Sequence, residues 1–512
     1  MKYTIVLILA FLVSDSCLCA NEPVSNKDSL EVSSSSSGLA EQKPNIIFIL
    51  VDDLGKEWIG CYGGQNIETP NIDALAASGI KFNNVYSMPQ CTPSRACFLT
   101  GQYPFRNGWV NHWDVPRWGV GYFDWAKNPS IARMMQSAGY RTAAAGKWQL
   151  NDFREHPDAM SRHGFDAYCM WTGGETDPND AIHGEISDQR YWNPYIHTQD
   201  GSRTYPGEFG PDIYNQFLLN FITENKDRPF FIYYPMVLPH TPFTSTPLKP
   251  AAEGKMGRHR AMVRYIDHLV GQTVNHLEEL GIRKNTLIVF TSDNGTVSSI
   301  RNQMNTRLVI GGKTKTTENG VNAPFIVNFP SLVLGGQTSN VLIDFTDMLP
   351  TFAELAAAQP EPGYIYDGVS AKEAFLGKEM QVARSWILAM GSKPAVATDR
   401  GIENVYYFRD RVLRESRYKL FVGANRTPEK LVDLANDPEE KNNLITNAEF
   451  SPIVARIMSV VESQPVRDND PFYTVLEEYP HYETHGNLSV SAPKKSLVHK
   501  IGYKNQFPAA SE

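Results

Sequence analysis

Cysteine is scarce in this chain. Six are spread over 512 residues, and two of them, Cys17 and Cys19, sit in an apolar leader. The remaining Cys61, Cys91, Cys97 and Cys169 are too few for a disulfide scaffold, and their pairing is not readable from the sequence. An excess of positive charge is missing too: 48 lysines and arginines face 56 aspartates and glutamates, a net charge of −8. That balance argues against nonspecific nucleic-acid binding, which works by neutralising phosphates. It leaves room for an anionic substrate, because a small basic pocket fits within an acidic protein. After the leader no apolar run is long enough to cross a membrane, so no integral membrane segment is expected. No internal repeat is seen. What the chain does have is a globular composition, 42% hydrophobic and 20% charged, at a length that suits a large α/β enzyme.

Lys2 starts the leader with a positive charge, Ile5 to Val13 form its short apolar run, and Cys19-Ala20 end it in small residues. This pattern predicts an export signal over residues 1–20 and a periplasmic or secreted protein. Cys17 leaves an outer-membrane lipoprotein as a minor reading, although Ser14-Asp15-Ser16 is a poor lead-in. Residues 21–43 read as a disordered tether, since the run Ser33 to Ser37 cannot bury enough apolar surface to offset ordering. Pro44 then opens Asn45-Ile46-Ile47-Phe48-Ile49-Leu50-Val51, the continuous apolar run of a strand buried on both faces. Asn285 to Phe290 repeats that pattern. It is preceded by Met262, Ile266, Val270, Val274 and Leu277 at helical spacing, the order of a βαβ unit. Phe230 to Tyr234 and Phe325 to Phe329 read as further strands, and Ile131 to Ala138 as a surface helix. The expected fold is α/β: a large mixed, mostly parallel β-sheet flanked by helices over 44–390. A smaller C-terminal antiparallel sheet-and-helix domain follows over 391–512. Within it, Val405 to Phe408 and Tyr418 to Phe421 read as neighbouring strands separated by Arg-rich turns, and Ser451 to Ser463 as a helix.

Two acidic pairs stand at strand ends. Asp52-Asp53 follow the first strand, and Asp293-Asn294 follow the later one. Open α/β sheets bind ligands outside the carboxyl ends of their strands. Adjacent carboxylates there repel each other unless a cation neutralises them. Carboxylates plus an amide carbonyl, with no histidine among them, suit Ca2+, or less well Mg2+, rather than zinc. Turns and helix caps produce similar acidic pairs, so the pairs alone do not decide.

Cys91-Thr92-Pro93-Ser94-Arg95, continued by Ala96-Cys97-Phe98-Leu99-Thr100-Gly101, resembles the signature of the formylglycine-dependent sulfatase family, part of the alkaline phosphatase superfamily. In that family a maturation enzyme converts the cysteine of Cys-x-Pro-x-Arg to the aldehyde formylglycine while the exported chain is unfolded. The resemblance covers nearly the whole mature chain. Asp52 and Asp53 correspond to the first metal pair, and Asp293 and Asn294 to the later one. Gly146-Lys147-Trp148 matches a Gly-Lys-Trp element, and Pro239-His240-Thr241-Pro242-Phe243 looks like the active-site histidine region. Gly312-Lys313 through Glu318-Asn319-Gly320 resembles the later lysine loop.

This resemblance implies an arylsulfatase-like hydrolase whose metal set is Asp52, Asp53, Asp293, Asn294 and the modified Cys91. One hydroxyl of the hydrated aldehyde attacks sulfur and displaces the alcohol. The second hydroxyl then loses its proton, the C–O bond to sulfate breaks, and the aldehyde returns. Arg95 holds the modified residue and offsets nearby carboxylates. Lys147 and Lys313 bind sulfate oxygens. Lys313 or His240 protonates the leaving oxygen, and Asp293 is a candidate base for sulfate release. Two positions depart from the family. Gln149 replaces a common histidine; glutamine can contact sulfate or the modified residue but does not titrate near neutral pH. Glu318-Asn319-Gly320-Val321-Asn322 replaces Glu-Gly-Gly-Val-Arg, so the loop lacks that arginine.

The implied partners are a maturation enzyme and a sulfated carbohydrate or aryl sulfate, with the carbohydrate favoured. Residues 103–125 and 163–212 hold Trp109, His112, Trp113, Trp118, Trp171, His183 and Trp192. They read equally as the wall of a sugar or aryl pocket and as a packed loop core. Three other readings compete. A phosphate mono- or diester hydrolase would use the same site. Alkaline-phosphatase-like two-zinc catalysis needs further histidines and a Ser or Thr nucleophile, which cannot be assembled here. A non-catalytic sulfated-glycan binder is at odds with the intact cysteine motif, metal set and lysines.

Overall fold

The computed structural model describes residues 43–110, 123–151, 153, 156–171, 190–381, 383–392, 395–398, 401–404 and 408–469, and among them eighteen strands build two sheets and two hairpins. The expected export signal and the tether up to residue 42 lie outside the described residues, as do His112, Trp113, Trp118, His183 and residues 405–407. The strands are β1 (Asn45–Val51), β2 (Ile80–Tyr86), β3 (Arg141–Lys147), β4 (Ala167–Trp171), β5 (Tyr195–Thr198) and β6 (Gly201–Thr204). Then come β7 (Phe230–Pro235), β8 (Thr286–Ser292), β9 (Arg301–Met304), β10 (Arg307–Ile310), β11 (Phe325–Asn328) and β12 (Gln337–Asp344). The last are β13 (Ile387–Met390), β14 (Ala395–Thr398), β15 (Gly401–Asn404), β16 (Arg411–Arg414), β17 (Tyr418–Val422) and β18 (Pro428–Asp433).

The large sheet has ten strands in the order β12-β2-β11-β8-β1-β7-β3-β4-β5-β6. Its centre is parallel: β1 pairs with β7 and β8, and β7 pairs with β3. β11 runs antiparallel between β2 and β8, which makes the sheet mixed. β1 is buried at every position, and its side chains alternate between two cores. Ile46, Phe48 and Leu50 face one core, where Phe48 stacks on Phe98 of the helix Cys91–Thr100 with ring centroids 4.1 Å apart. Ile47, Ile49 and Val51 face the other, with Met262, Ile266 and Val270 of the helix Gly254–Glu279. A strand apolar from its second residue to its last is what two helix-covered faces require.

The small sheet is antiparallel, in the order β13-β16-β17-β18. Its first strand, Ile387–Met390, precedes residue 391. The partners of Tyr418–Val422 are β16 and β18, so Arg411–Arg414 is a strand where an Arg-rich turn was expected. Its arginines are buried because they are paired: Arg411 Nη2 lies 2.7 Å from Asp468, and Arg414 Nη1 lies 2.8 Å from Glu318. The helix Ser451–Glu462 contributes Ile457 and Val461 to the core. No helix among the described residues is long and apolar enough to cross a membrane.

Candidate active site

The register of the central strands assembles the acidic cluster. Val51 pairs with Ser292, so Asp52-Asp53 and Asp293-Asn294 leave the sheet side by side. The Asp293 amide donates to Val51 O at 3.1 Å, and the Asp53 amide donates to Asp293 Oδ1 at 3.1 Å. Asp53 takes a left-handed backbone, φ 71°. All four side chains are buried. Asn294 Nδ2 donates to Asp53 Oδ1 at 2.7 Å, while Asn294 Oδ1 is a buried acceptor without a hydrogen-bond partner.

The helix Cys91–Thr100 starts directly against this cluster. The Cys91 thiol donates to Asp52 Oδ1 at 3.3 Å and lies 3.9 Å from Asp53 Oδ1. Burial, and then the Asp293 charge, push this thiol well above its ordinary pKa. An unmodified Cys91 is therefore held as a neutral thiol, which is a weak nucleophile. One turn on, Arg95 Nη2 lies 2.6 Å from Asp293 Oδ2 and 3.8 Å from Asp52 Oδ1, and Nη1 donates to Lys147 O at 3.2 Å. Ser94 lies between them and donates to Asp293 O at 2.5 Å. It belongs to the cysteine motif, yet nothing in the sequence distinguishes its role from spacing.

Two lysines and a histidine close in on the carboxylates, and a glutamine follows the first of the lysines. Lys147, the last residue of β3, places Nζ 2.8 Å from Asp52 Oδ2. Lys313 Nζ lies 2.7 Å from Asp53 Oδ2 and is the more open of the two lysines. His240 Nε2 lies 3.7 Å from Asp53 Oδ2. Gln149 is buried two residues past Lys147, with φ 60°. Burial alone would raise the Asp52 carboxyl, but Lys147, His240, Arg95 and Lys313 outweigh it and hold its pKa well below the usual range. Asp293 is pushed up to about 6 by burial and by Asp52. Burial pushes the His240 imidazole down, and the Lys313 charge adds to that. For Lys313 burial pulls downward, and Asp53, Cys91 and Asp52 more than reverse it.

Asp52, Asp53, Cys91, Arg95, Lys147, His240, Asp293, Asn294 and Lys313 thus meet at one end of the sheet. Asp52, Asp53, Cys91 and His240 offer ligand atoms all within 4.8 Å of one another. The departures have visible consequences. Asn322 Oδ1 accepts from Lys56 Nζ at 2.7 Å, and its Nδ2 donates to Glu318 Oε2 at 2.8 Å. Asn322 thus bridges a lysine beside the first acidic pair to the acid of the lysine loop. Trp109 is core packing, stacked edge-on with Phe123 at 5.6 Å. Trp171 is also buried, but it carries Arg190 over its face at 3.9 Å. Arg190, which touches His240, has no motif around it and was not legible in the sequence.

Carboxylates placed to share a cation, with lysines reaching past them, suit cleavage of an ester that is itself an anion. The class is therefore a metal-binding hydrolase on an α/β sheet. The family model described as Sulfatase matches residues 44–358, and the chain belongs to the sulfatase family, enzymes that hydrolyse sulfate esters. It is similar to the N-acetylgalactosamine-6-sulfatase of Canis lupus familiaris, 32% identical over 366 residues, covering 67% of each chain. It is also similar to the N-acetylgalactosamine-6-O-sulfatase of Bacteroides thetaiotaomicron, 30% identical over 498 residues, covering 84% of this chain and 95% of that one. The crystal structure of Ps i-CgsB in complex with k-i-k-neocarrahexaose matches with a TM-score of 0.69 at 26% identity, covering 90% of this chain and 100% of that one.

Proposed function

We propose that this sulfatase removes sulfate from a carbohydrate monoester, using a nucleophile made by oxidising Cys91 to formylglycine. The observation that carries the proposal is the place of Cys91, with Sγ 3.3 Å from Asp52 Oδ1 at the buried start of a helix. A two-electron oxidation by a maturation enzyme exchanges that thiol for an aldehyde oxygen. The hydrated aldehyde has the hydroxyl that an inert thiol lacks. Asp52, Asp53, Asp293 and Asn294 would hold Ca2+. Their donors are oxygens, and the partnerless Asn294 Oδ1 fits a ligand. When bound, calcium supplies charge that favours the ionised nucleophile and offsets the sulfate.

The chain's own groups do the rest. Lys147 and Lys313 Nζ donate to sulfate oxygens and meet the charge that grows as the S–O bond breaks. Arg95 fixes the helix start against Asp293. His240 Nε2 or Lys313 Nζ passes a proton to the leaving oxygen, and the Gln149 amide contacts sulfate or the modified residue. Asp293 Oδ2 receives a proton as sulfate leaves. The products are inorganic sulfate and a free sugar hydroxyl. The carbohydrate reading is supported by the names of the N-acetylgalactosamine relatives and by the oligosaccharide in the related structure. The apolar leader supports a periplasmic or secreted site of action.

Peptide mass spectrometry on protein from its native host is expected to show the aldehyde at Cys91. An unmodified thiol in active protein would overturn the nucleophile. A screen of sulfated glycans, alongside matched aryl sulfate and aryl phosphate, is expected to show faster sulfate release. Faster phosphate turnover would make the chain a phosphoesterase.

A further inference from the structure

Residues 190–192 strap the loop that carries His240. Tyr191 Oη lies 2.9 Å from Val237 O and 2.5 Å from His240 O, two carbonyls that share its single hydrogen, and Trp192 Nε1 donates to Ser245 O at 3.1 Å. The first residue of the strap reaches the imidazole itself: Arg190 Nη1 lies 2.9 Å from His240 Nδ1. Arg190 is only 6% exposed. Its guanidinium lies over the Trp171 ring, 3.9 Å from the ring centre, a cation–π contact that restrains the arginine head.

His240 Nδ1 has a second neighbour, Thr241 O, at 2.5 Å. The two contacts cannot both be hydrogen bonds. A guanidinium only donates, so it needs a lone pair on Nδ1. A carbonyl only accepts, so it needs a hydrogen there. The buried cation has more to lose. Its Nε is already buried without a partner, and leaving a second charged donor unmet costs more than leaving one carbonyl acceptor unmet.

We propose that Arg190 is a positioning residue for the reaction: by donating to Nδ1 it holds His240 as the tautomer whose hydrogen is on Nε2. This rests on the reading of His240 as a site residue. Nε2 is the nitrogen on the Asp53 side, 3.7 Å from Asp53 Oδ2, so the ring presents a donor to the site. A leaving oxygen or a sulfate oxygen is an acceptor and matches it. A nitrogen that carries hydrogen has no lone pair for a metal. His240 therefore stays outside the ion's ligand set despite lying among Asp52, Asp53 and Cys91, and the donors left are the oxygens that suit calcium.

Nitrogen-15 NMR of histidine-labelled protein tests this, with His240→Gln used to assign the signal. The spectrum can be taken on protein with an unmodified Cys91, so it reads the tautomer whether or not the enzyme turns over. Wild-type protein is expected to show a lone-pair nitrogen at Nδ1 and a protonated nitrogen at Nε2. Arg190→Met keeps an apolar stem against Trp171 but removes the donor. It is expected to move the hydrogen to Nδ1, onto Thr241 O, and to lower kcat about 10²-fold with little change in KM. Arg190→Lys, which still only donates, is expected to return the wild-type tautomer and part of the rate. A hydrogen on Nδ1 in the wild type overturns the assignment, and that result needs no variant to fold. An unchanged tautomer in folded Arg190→Met overturns it too, even if activity falls, because the arginine would then be structural only. The expected tautomers in a protein that carries the aldehyde at Cys91 yet releases no sulfate would uphold the Arg190–His240 assignment and count against the proposed sulfate-releasing site alone.

Discussion

Lys147 and Lys313 each hold a different carboxylate, Asp52 and Asp53, yet both charges act on Cys91. On the proposed mechanism, replacing either removes a donor to the sulfate oxygens. Lys147→Ala is expected to lower kcat/KM by about 10²–10³-fold, the range for losing one preorganised donor to a transition-state charge. Steady-state kinetics on an aryl sulfate checks it. Gln149→Ala is expected to lower catalytic efficiency as well; an unchanged value would remove the glutamine's contact role. Three non-glycine residues of the site hold left-handed backbones: Asp53 at φ 71°, Gln149 at 60° and Thr314 at 75°. Such conformations cost about 1–3 kcal/mol each and persist where the surroundings over-determine them. Their gathering around one cluster is consistent with side chains aimed for chemistry.

At the scale of elements, loops following different strands must approach closely to bring Lys313 to Asp53. The Gly295 amide donates to Gly320 O at 2.9 Å, and the Lys313 amide donates to Thr296 O at 3.0 Å. A Cβ on Gly295 would fall 1.7 Å from Asn319 O, a backbone atom that cannot swing aside. Gly295→Ala is therefore expected to push the lysine loop outward. A displacement of about 1 Å costs about 10²-fold in rate, so kcat/KM should fall by that order. A crystal structure of the variant should show the longer Lys313–Asp53 distance. Full activity in that variant would mean that the loop yields without moving the lysine. Gly146 has the same kind of need. It sits at φ 117°, with the space for a Cβ 2.0 Å from Pro235 O, which lets β3 deliver Lys147 close beside β7.

Across the whole molecule, the small sheet braces the back of the lysine loop. Glu318 lies 2.8 Å from Arg414 of β16 and 3.1 Å from Lys419 of β17. Burial would raise the Glu318 carboxyl, but Lys419 and Arg414 hold it well below its ordinary range. Stability also depends on histidines far from the site. His163 is buried with Nδ1 unpartnered, and burial lowers its pKa to about 3. His259 is likewise lowered to about 3 by burial, with neither ring nitrogen partnered. An unfolded histidine takes up a proton near pH 6.5, whereas these do not until near pH 3. Their contribution is therefore complete above pH 6.5 and is lost as pH falls toward 3. From pH 7 to pH 5, His163 alone should cost about 2 kcal/mol of stability. Urea unfolding at both values checks this, and His163→Phe should flatten that part of the pH dependence. An equal slope in the variant would assign the acid sensitivity elsewhere.

Much of this was legible in the chain itself. A short, β-branched-rich run apolar at every position, Ile46 to Val51, fits a strand covered on both faces, and that pattern is local. The acidic pairs after β1 and β8, the cysteine motif and the two lysines were legible because each lies in a short segment of fixed chemistry. Other features depended on contacts between distant segments. Arg411–Arg414 looked like a turn because its arginines read as exposed; their burial depends on Asp468 and Glu318, which only the folded chain brings near. Arg190 carries no signal of its own, since an isolated arginine in an aromatic loop is ordinary. Its meaning comes from Trp171 beneath it and His240 beside it, 19 residues before it and 50 after it in the chain. The sequence by itself determined the sheet, the family and which acidic, basic and cysteine segments to look for at its strand ends, because those rest on local patterns of burial and chemistry. Only the tertiary structure decided which groups restrain one another, because hydrogen-bond direction and charge pairing exist only once distant residues share a buried space.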